Sequence, residues 1–165
     1  MGKSFRCETV FASDQESVFA LMTDLDRAPE WMQGLERIEV KTEGPFGVGT
    51  RFDETRKVFG KSWTESFEVT GHDAPRSVDL FVPSKGVDYR FRYVCEPVDG
   101  GTRLTLIGEA EPKGFMSKLM MGVMGMEPMR SACHKDMEHA RDYLDGVRVG
   151  GDDDGDGVGD GGGGE

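Results

Sequence analysis

Three charged residues stand in segments of alternating character, where a β-strand would place them on one face of a sheet. Successive strand side chains point to opposite faces, so Glu54 and Arg56 share a face with Phe52. Glu65 likewise shares a face with Trp63. If this face lines a cavity, a carboxyl with a raised pKa could serve acid–base chemistry, and the charges could bind a polar ligand group. Alternatively, they pair across neighbouring strands or lie at the wet rim of a strongly curved sheet.

Metal binding and nucleophilic catalysis have little support in the sequence. His134 and His139 lie five positions apart in a helical segment, about 140° around the helix, so they do not converge on one ion. Cys133 and His134 are adjacent there and point in different directions, and no Gly-x-Ser-x-Gly motif occurs. We therefore predict no metal site and no cofactor, and we interpret Cys7, Cys95 and Cys133 as small hydrophobic core residues.

Hairpin signals dominate the part of the chain that carries these residues. Ser13 and Glu16 form a capping box that predicts a helix ending near Asp24, and Pro29 begins a second short helix over residues 28–33. Strands are predicted over residues 4–12, 35–42, 50–59, 62–72, 76–82, 87–96 and 103–111. Successive hairpins with segregated helices indicate an antiparallel α+β fold.

A long amphipathic helix is predicted over residues 113–145, because apolar residues recur there every three or four positions. The opposite face carries Asp136 among other charged residues and is predicted to be solvated. The methionine-rich first half predicts either a pliable apolar gate or ordinary core filling. Pro128 lacks the backbone N–H that the helix needs, so a kink or break is expected there.

Several short motifs follow one another in the order of a known family: Asp24-Leu25-Asp26, Pro29-Glu30-Trp31, Gly49-Thr50-Arg51-Phe52, Glu68-Val69-Thr70 and Gly100-Gly101-Thr102-Arg103-Leu104. With this element order, residues 4–144 resemble the START-related SRPBCC superfamily, and within it the polyketide cyclase/dehydrase-like group. The resemblance implies a helix-grip fold: a seven-stranded curved antiparallel sheet in the order β-α-α-β6-α, wrapped around the long last helix. An apolar cavity is expected between sheet and helix.

The same resemblance implies where a ligand would bind. Trp31 and Phe52 stand where members of the family line or close the cavity, whereas the family shares no catalytic centre that could be carried over. The other residues expected to contact a ligand are Trp63, Phe67, Leu80, Tyr89, Phe91, Tyr93, Leu106, Phe115, Leu119, Val123 and Met126. Glu54, Arg56 and Glu65 remain the candidate catalytic residues.

Three functions are compatible with this arrangement. The first is binding of a small hydrophobic molecule, lipid-like or polyketide/aromatic. The second is a polyketide cyclase or dehydratase that uses the cavity residues Glu54, Arg56 and Glu65. The third is a partner-binding module that works through an exposed face without a ligand.

Composition limits the partners and the domain count. The net charge is −11, and residues 147–165 hold six acidic residues against one basic residue. We predict one domain over residues 1–146 and a disordered acidic tail over 147–165, solubilising or, alternatively, calcium-binding. Lysine and arginine are not clustered along the chain, which argues against nucleic acid and anionic membranes as partners. Three cysteines and no signal peptide or long apolar segment predict a cytoplasmic monomer without an integral membrane segment.

Overall fold

One antiparallel sheet and three α-helices make up the protein in the computed structural model, which describes residues 2–146. The strands are β1 Lys3–Phe11, β2 Leu35–Val40, β3 Arg51–Val58, β4 Lys61–Asp73, β5 Ser77–Val82, β6 Val87–Val98 and β7 Gly101–Pro112. The helices are α1 Gln15–Thr23, α2 Phe115–Met124 and α3 Glu127–Asp145. The order of strands across the sheet is β1-β7-β6-β5-β4-β3-β2.

The sheet presents one apolar face because the strands alternate as the sequence predicts. In β1, Phe5, Cys7, Thr9 and Phe11 are buried, while every second residue between them is exposed. Register irregularities interrupt the pairing of β2 with β3 and of β4 with β5, the latter between Val69 and Gly71. Such bulges bend strands and increase their twist. The curved sheet thus closes around its apolar face.

The first helix begins one residue later than the capping box predicts. Asp14, not Ser13, is the N-cap, and its carboxylate accepts a hydrogen bond from the Ser17 N–H at 2.7 Å. Ser13 instead donates its hydroxyl to Asp145 at the far end of α3, at 2.6 Å. Because Asp14 caps the helix, the Ser13 hydroxyl is available for this contact with Asp145. The predicted helix over residues 28–33 is a 3₁₀ helix, Ala28–Glu30.

The chain forms two helices, α2 and α3, where the sequence predicts one long helix, so that prediction is wrong. α2 ends at Gly125, whose φ of 67° is a left-handed conformation that glycine adopts without strain. Pro128 lies in the first turn of α3, where its missing N–H has no helical partner to lose. The break therefore falls before the proline, which begins a helix instead of kinking one.

Helix α3 packs on the sheet through Met137 and Ala140, which are fully buried. At its C-terminal end, Asp145 accepts hydrogen bonds from the backbone N–H groups of Ala12 and Ser13, at 2.8 and 3.2 Å. Asp136 is also buried, contrary to the prediction that it is solvated. It lies three residues after Cys133 and four before Ala140, which places it on the packed side of the helix.

The seven-stranded helix-grip fold expected from the sequence is confirmed. The prediction for residues 147–165 lies outside the described residues. Across residues 2–146, none of the helices combines the length and the apolar character that a membrane crossing requires.

Candidate functional site

A cavity of about 420 Å³ lies between the concave face of the sheet, the segment around the 3₁₀ helix, and the first half of α3. Ten of the residues singled out from the sequence line it: Trp31, Phe52, Glu54, Arg56, Trp63, Glu65, Phe67, Leu80, Phe91 and Tyr93. Further walls come from residues that sequence reasoning missed, including Met22, Leu25, Ile38, Met129, Cys133 and Asp136. The lining is mostly apolar, with a single group of interacting charges.

Apolar and aromatic side chains form the walls on the strand side. Phe52 on β3 and Phe67 on β4 are direct cross-strand partners, and their rings stack with centroids 5.2 Å apart. Trp31 is buried, and its indole N–H has no partner within residues 2–146. Trp63 is 62% exposed, so it lies where the cavity meets solvent. The walls therefore run from a closed interior to an open mouth.

Strand register brings the charges together. Glu54 on β3 lies directly opposite Glu65 on β4, and Arg56 lies opposite Trp63. Two carboxylates in this relation repel each other. Arg56, two positions along the same face as Glu54, donates a hydrogen bond from Nε to the Glu54 carboxylate and so offsets that repulsion.

Helix α3 contributes the third member of the group. Arg56 Nη1 donates to Asp136 Oδ2 at 2.6 Å, and the other oxygen of Asp136 accepts the Gln33 backbone N–H at 3.0 Å. The Gln33 side-chain amide in turn lies 2.7 Å from His139 Nε2. This charge cluster, defined as Glu54, Arg56 and Asp136, joins β3 to α3 and to the segment after the 3₁₀ helix.

Burial sets the protonation of these groups. Loss of hydration raises the pKa of Glu54, an effect that Asp136 adds to and Arg56 opposes. The pKa of Glu65 is also raised, first by loss of hydration against the cavity walls and then by the nearby Glu54 carboxylate, although the side chain is exposed. The two carboxylates raise the pKa of Arg56 despite its burial, so the guanidinium stays charged. The cavity thus pairs a fixed cation with carboxyls that hold protons more tightly than usual.

Two further groups of the cavity wall, the Cys133 thiol and the Tyr93 phenol, are neutral near pH 7. Burial raises the pKa of the Cys133 thiol to about 12, and Asp136 adds to the effect. Burial likewise raises the pKa of the Tyr93 phenol well above its ordinary value. Because the thiolate is the reactive form of cysteine, Cys133 is a poor nucleophile here. Among residues 2–146 no three His, Cys, Asp or Glu side chains converge as metal ligands would.

Six residues expected at the ligand lie elsewhere. Leu106 and Met126 are buried in the core. Phe115, Leu119 and Val123 are 80%, 52% and 81% exposed, because they lie on α2, a separate helix that ends before Gly125 and has no buried residue. Tyr89 is also absent from the cavity wall; its ring stacks on that of Phe91, with centroids 6.2 Å apart.

The sequence of the chain identifies its family. The family described as "Polyketide cyclase / dehydrase and lipid transport" matches residues 4–155. The chain belongs to this family. A comparison with curated proteins found no match.

Members of the polyketide cyclase/dehydrase and lipid transport family are expected to share the helix-grip fold, and solved structures support it. One is the di-domain ARO/CYC StfQ from the steffimycin biosynthetic pathway, with TM-score 0.74 and 12% identity over 88% of this chain and 52% of StfQ. TTHA0849 from Thermus thermophilus has TM-score 0.68 and 21% identity over 86% and 96%. Norcoclaurine synthase from Thalictrum flavum has TM-score 0.67 and 15% identity over 87% and 94%. At these identities the likeness shows the fold alone.

Because the pKa of Glu54 is raised in the folded protein, we expect its contribution to the free energy of unfolding to depend on pH. A carboxyl whose pKa is raised in the folded state holds a proton that the unfolded chain has already lost, so its contribution falls as pH rises. The window begins at the ordinary glutamate value, near pH 4.5. We expect the free energy of unfolding of wild type, minus that of Glu54→Gln, to decrease as pH rises above 4.5. Urea unfolding from pH 4 to 8 measures this difference.

Glu43→Gln is the control for this experiment, because Glu43 is exposed and makes no ion pair or side-chain hydrogen bond within residues 2–146. Its difference from wild type should change little over the same range. A wild-type minus Glu54→Gln difference that stays constant or increases with pH would contradict the raised pKa.

Proposed function

We propose that the protein binds a small, largely apolar molecule, lipid-like or polyketide/aromatic, in the cavity between sheet and α3. The observation that carries this proposal is the cavity of about 420 Å³, with aromatic walls and one polar cluster. Ligand sites typically enclose a few hundred to a thousand Å³ and combine apolar walls with a few placed polar groups. Family membership supports the same class of ligand.

The charge cluster suggests which polar group the ligand carries. Arg56 uses Nε for Glu54 and Nη1 for Asp136, whereas its Nη2 makes no hydrogen bond within residues 2–146. Those N–H groups can donate to a ligand oxygen. Because two carboxylates already surround one guanidinium, a further anion would be repelled. The proposed ligand therefore has a neutral acceptor, such as a ketone or phenol oxygen, on an apolar body.

Occupation of the cavity can be tested with adjacent residues on one strand. Leu80 lines the cavity, whereas Phe81 points to the other sheet face, where its ring lies under Arg90. Leu80→Trp adds volume to the binding space, so we expect it to weaken binding of an apolar naphthalene probe by about ten-fold, or ~1.4 kcal/mol. Phe81→Trp should leave the affinity unchanged. Equal effects of both variants in fluorescence titrations would remove the cavity as the binding site.

The polar anchor has its own test, in a matched pair of ligands. 2-Acetylnaphthalene and 2-ethylnaphthalene have similar shapes, but only the first has a carbonyl oxygen. Arg56→Lys keeps the charge and loses the planar fork of donors. We expect it to weaken binding of the ketone by about ten-fold, the order of a hydrogen bond to a charged group, and to leave the hydrocarbon unaffected. Equal losses for both ligands would contradict the anchor and indicate a structural role only.

A second candidate function, cyclisation or dehydration of a polyketide-like substrate, is favoured by the raised pKa values of Glu54 and Glu65. A raised pKa increases the fraction of molecules in which a carboxyl is protonated. The protonated form can act as a general acid toward a carbonyl oxygen, while Arg56 stabilises the negative charge that develops there. The likeness to the ARO/CYC protein StfQ is consistent with this chemistry.

The enzyme hypothesis predicts a separation of binding from turnover. Incubation with a short poly-β-ketothioester should give a cyclised product with loss of water, detected by mass spectrometry. Glu54→Gln or Glu65→Gln should then preserve affinity and reduce turnover by about 100-fold or more, as expected for loss of a general acid. Wild-type turnover in both variants, or no product from the wild-type protein, would leave ligand binding as the function.

A further inference from the structure

One end of the molecule has a surface whose character does not depend on what the cavity holds. Antiparallel pairing places four features at this end: the start of β1, the β3–β4 hairpin, the β5–β6 turn, and α2, which follows β7. The hairpin projects furthest, because β5 ends at Val82 and residues 61–66 of β4 extend beyond it. We name this region the lysine end, for the residues described next.

Folding concentrates lysines here that are dispersed along the sequence. Six of the eight lysines of the chain lie at this end: Lys3, Lys57, Lys61, Lys85, Lys113 and Lys118. All six are exposed. Lys113 is paired with Asp88 at 2.7 Å, whereas the other five make no ion pair within residues 2–146. The sequence shows no lysine cluster, because these residues are far apart along the chain and only the topology of the sheet brings them together. The dispersal of lysines along the sequence therefore does not argue against an anionic partner of the folded protein.

Six acidic residues lie at this end, against the six lysines together with Arg90 and Arg130. Asp88 is held by Lys113, and Glu127 by Arg130 at 2.6 Å. Glu36 accepts a hydrogen bond from Ser62, Glu109 is the cross-strand partner of Arg90, and Glu111 and Glu65 complete the group. In a protein with a net charge of −11, this end therefore carries a local excess of positive charge.

Exposed apolar side chains accompany the lysines. On α2, Ser117 and Met121 face the rest of the protein, and the outward face is apolar: Phe115, Met116, Leu119, Met120, Val123 and Met124 are all more than half exposed. An ordinary surface helix has the opposite arrangement. At the tip of the hairpin, Phe59 is fully exposed. Two separate elements at this end thus expose apolar groups to solvent.

We propose that the lysine end docks on the surface of an anionic lipid bilayer, with the outward face of α2 and Phe59 inserted among the headgroups. Basic residues flanking exposed Phe, Leu and Met side chains are the composition of an interfacial membrane-binding element. Self-association through the same surface would bring the lysines of two copies face to face. Charge complementarity therefore favours a lipid surface over a second copy of this chain.

The test is co-sedimentation of the full chain with vesicles of phosphatidylcholine alone or mixed with phosphatidylglycerol. We expect binding to the mixed vesicles, little binding to phosphatidylcholine alone, and a decrease as salt is added. Lys57→Gln and Lys61→Gln should each weaken binding about five-fold. Phe59→Asn and Val123→Ser together should weaken it about ten-fold or more; asparagine tolerates the left-handed φ of 49° at residue 59.

Matched controls lie away from the lysine end. The control variants are Val48→Ser, Lys41→Gln and Lys135→Gln. Val48 is 68% exposed and lies in the loop between β2 and β3. These variants should bind as wild type does. Absence of wild-type binding to the mixed vesicles would overturn the proposal, as would equal binding to phosphatidylcholine alone or equal losses in the controls. It would also be overturned by light scattering that finds a wild-type dimer which Val123→Ser converts to monomer.

Discussion

A single guanidinium determines how the sheet, the last helix and the loop between them fit together. Arg56 is partly buried between Glu54 on its own strand and Asp136 on α3. Removing one partner from such a group leaves an uncompensated buried charge, which costs several kcal/mol of folding free energy. The complete group, by contrast, stabilises the fold about as much as apolar residues of the same volume would. The charge cluster therefore contributes little to stability but fixes the position of α3. A shift of α3 along the sheet would break the hydrogen bond between Arg56 and Asp136.

Position matters here because the cavity exists only between these elements. Asp136 binds both Arg56 and the Gln33 backbone, so the segment after the 3₁₀ helix and α3 hold a fixed distance from β3. Apolar contacts alone would favour collapse of the space, since filling it buries more apolar surface. A hydrogen-bonded cluster with defined lengths resists that collapse. The polar group that a ligand would meet is thus also the group that keeps the space open.

Much of the fold could be predicted from the sequence because it depends on local periodicity. Alternation located seven strands, and the same period placed Glu54, Arg56 and Glu65 on one face. Asp136 was missed because a helix position at the border of the packed side can be buried or solvated, and only its partner on a distant strand decides which. The spacing from Cys133 and Ala140 was the available signal. The end of α2 was misplaced because Pro128 is the stronger sequence signal, although Gly125 ends the helix.

The exposed methionines make the outward face of α2 accessible to oxidants. Met116, Met120 and Met124 are each more than half exposed, unlike Met137, which is enclosed by the core. Oxidants convert an accessible thioether to a polar sulfoxide, and methionine sulfoxide reductases reverse the change. Oxidation would therefore make part of the outward face of α2 polar, and its reversal would restore the apolar face. Within residues 2–146, the cavity and its charge cluster contain no comparably exposed sulfur.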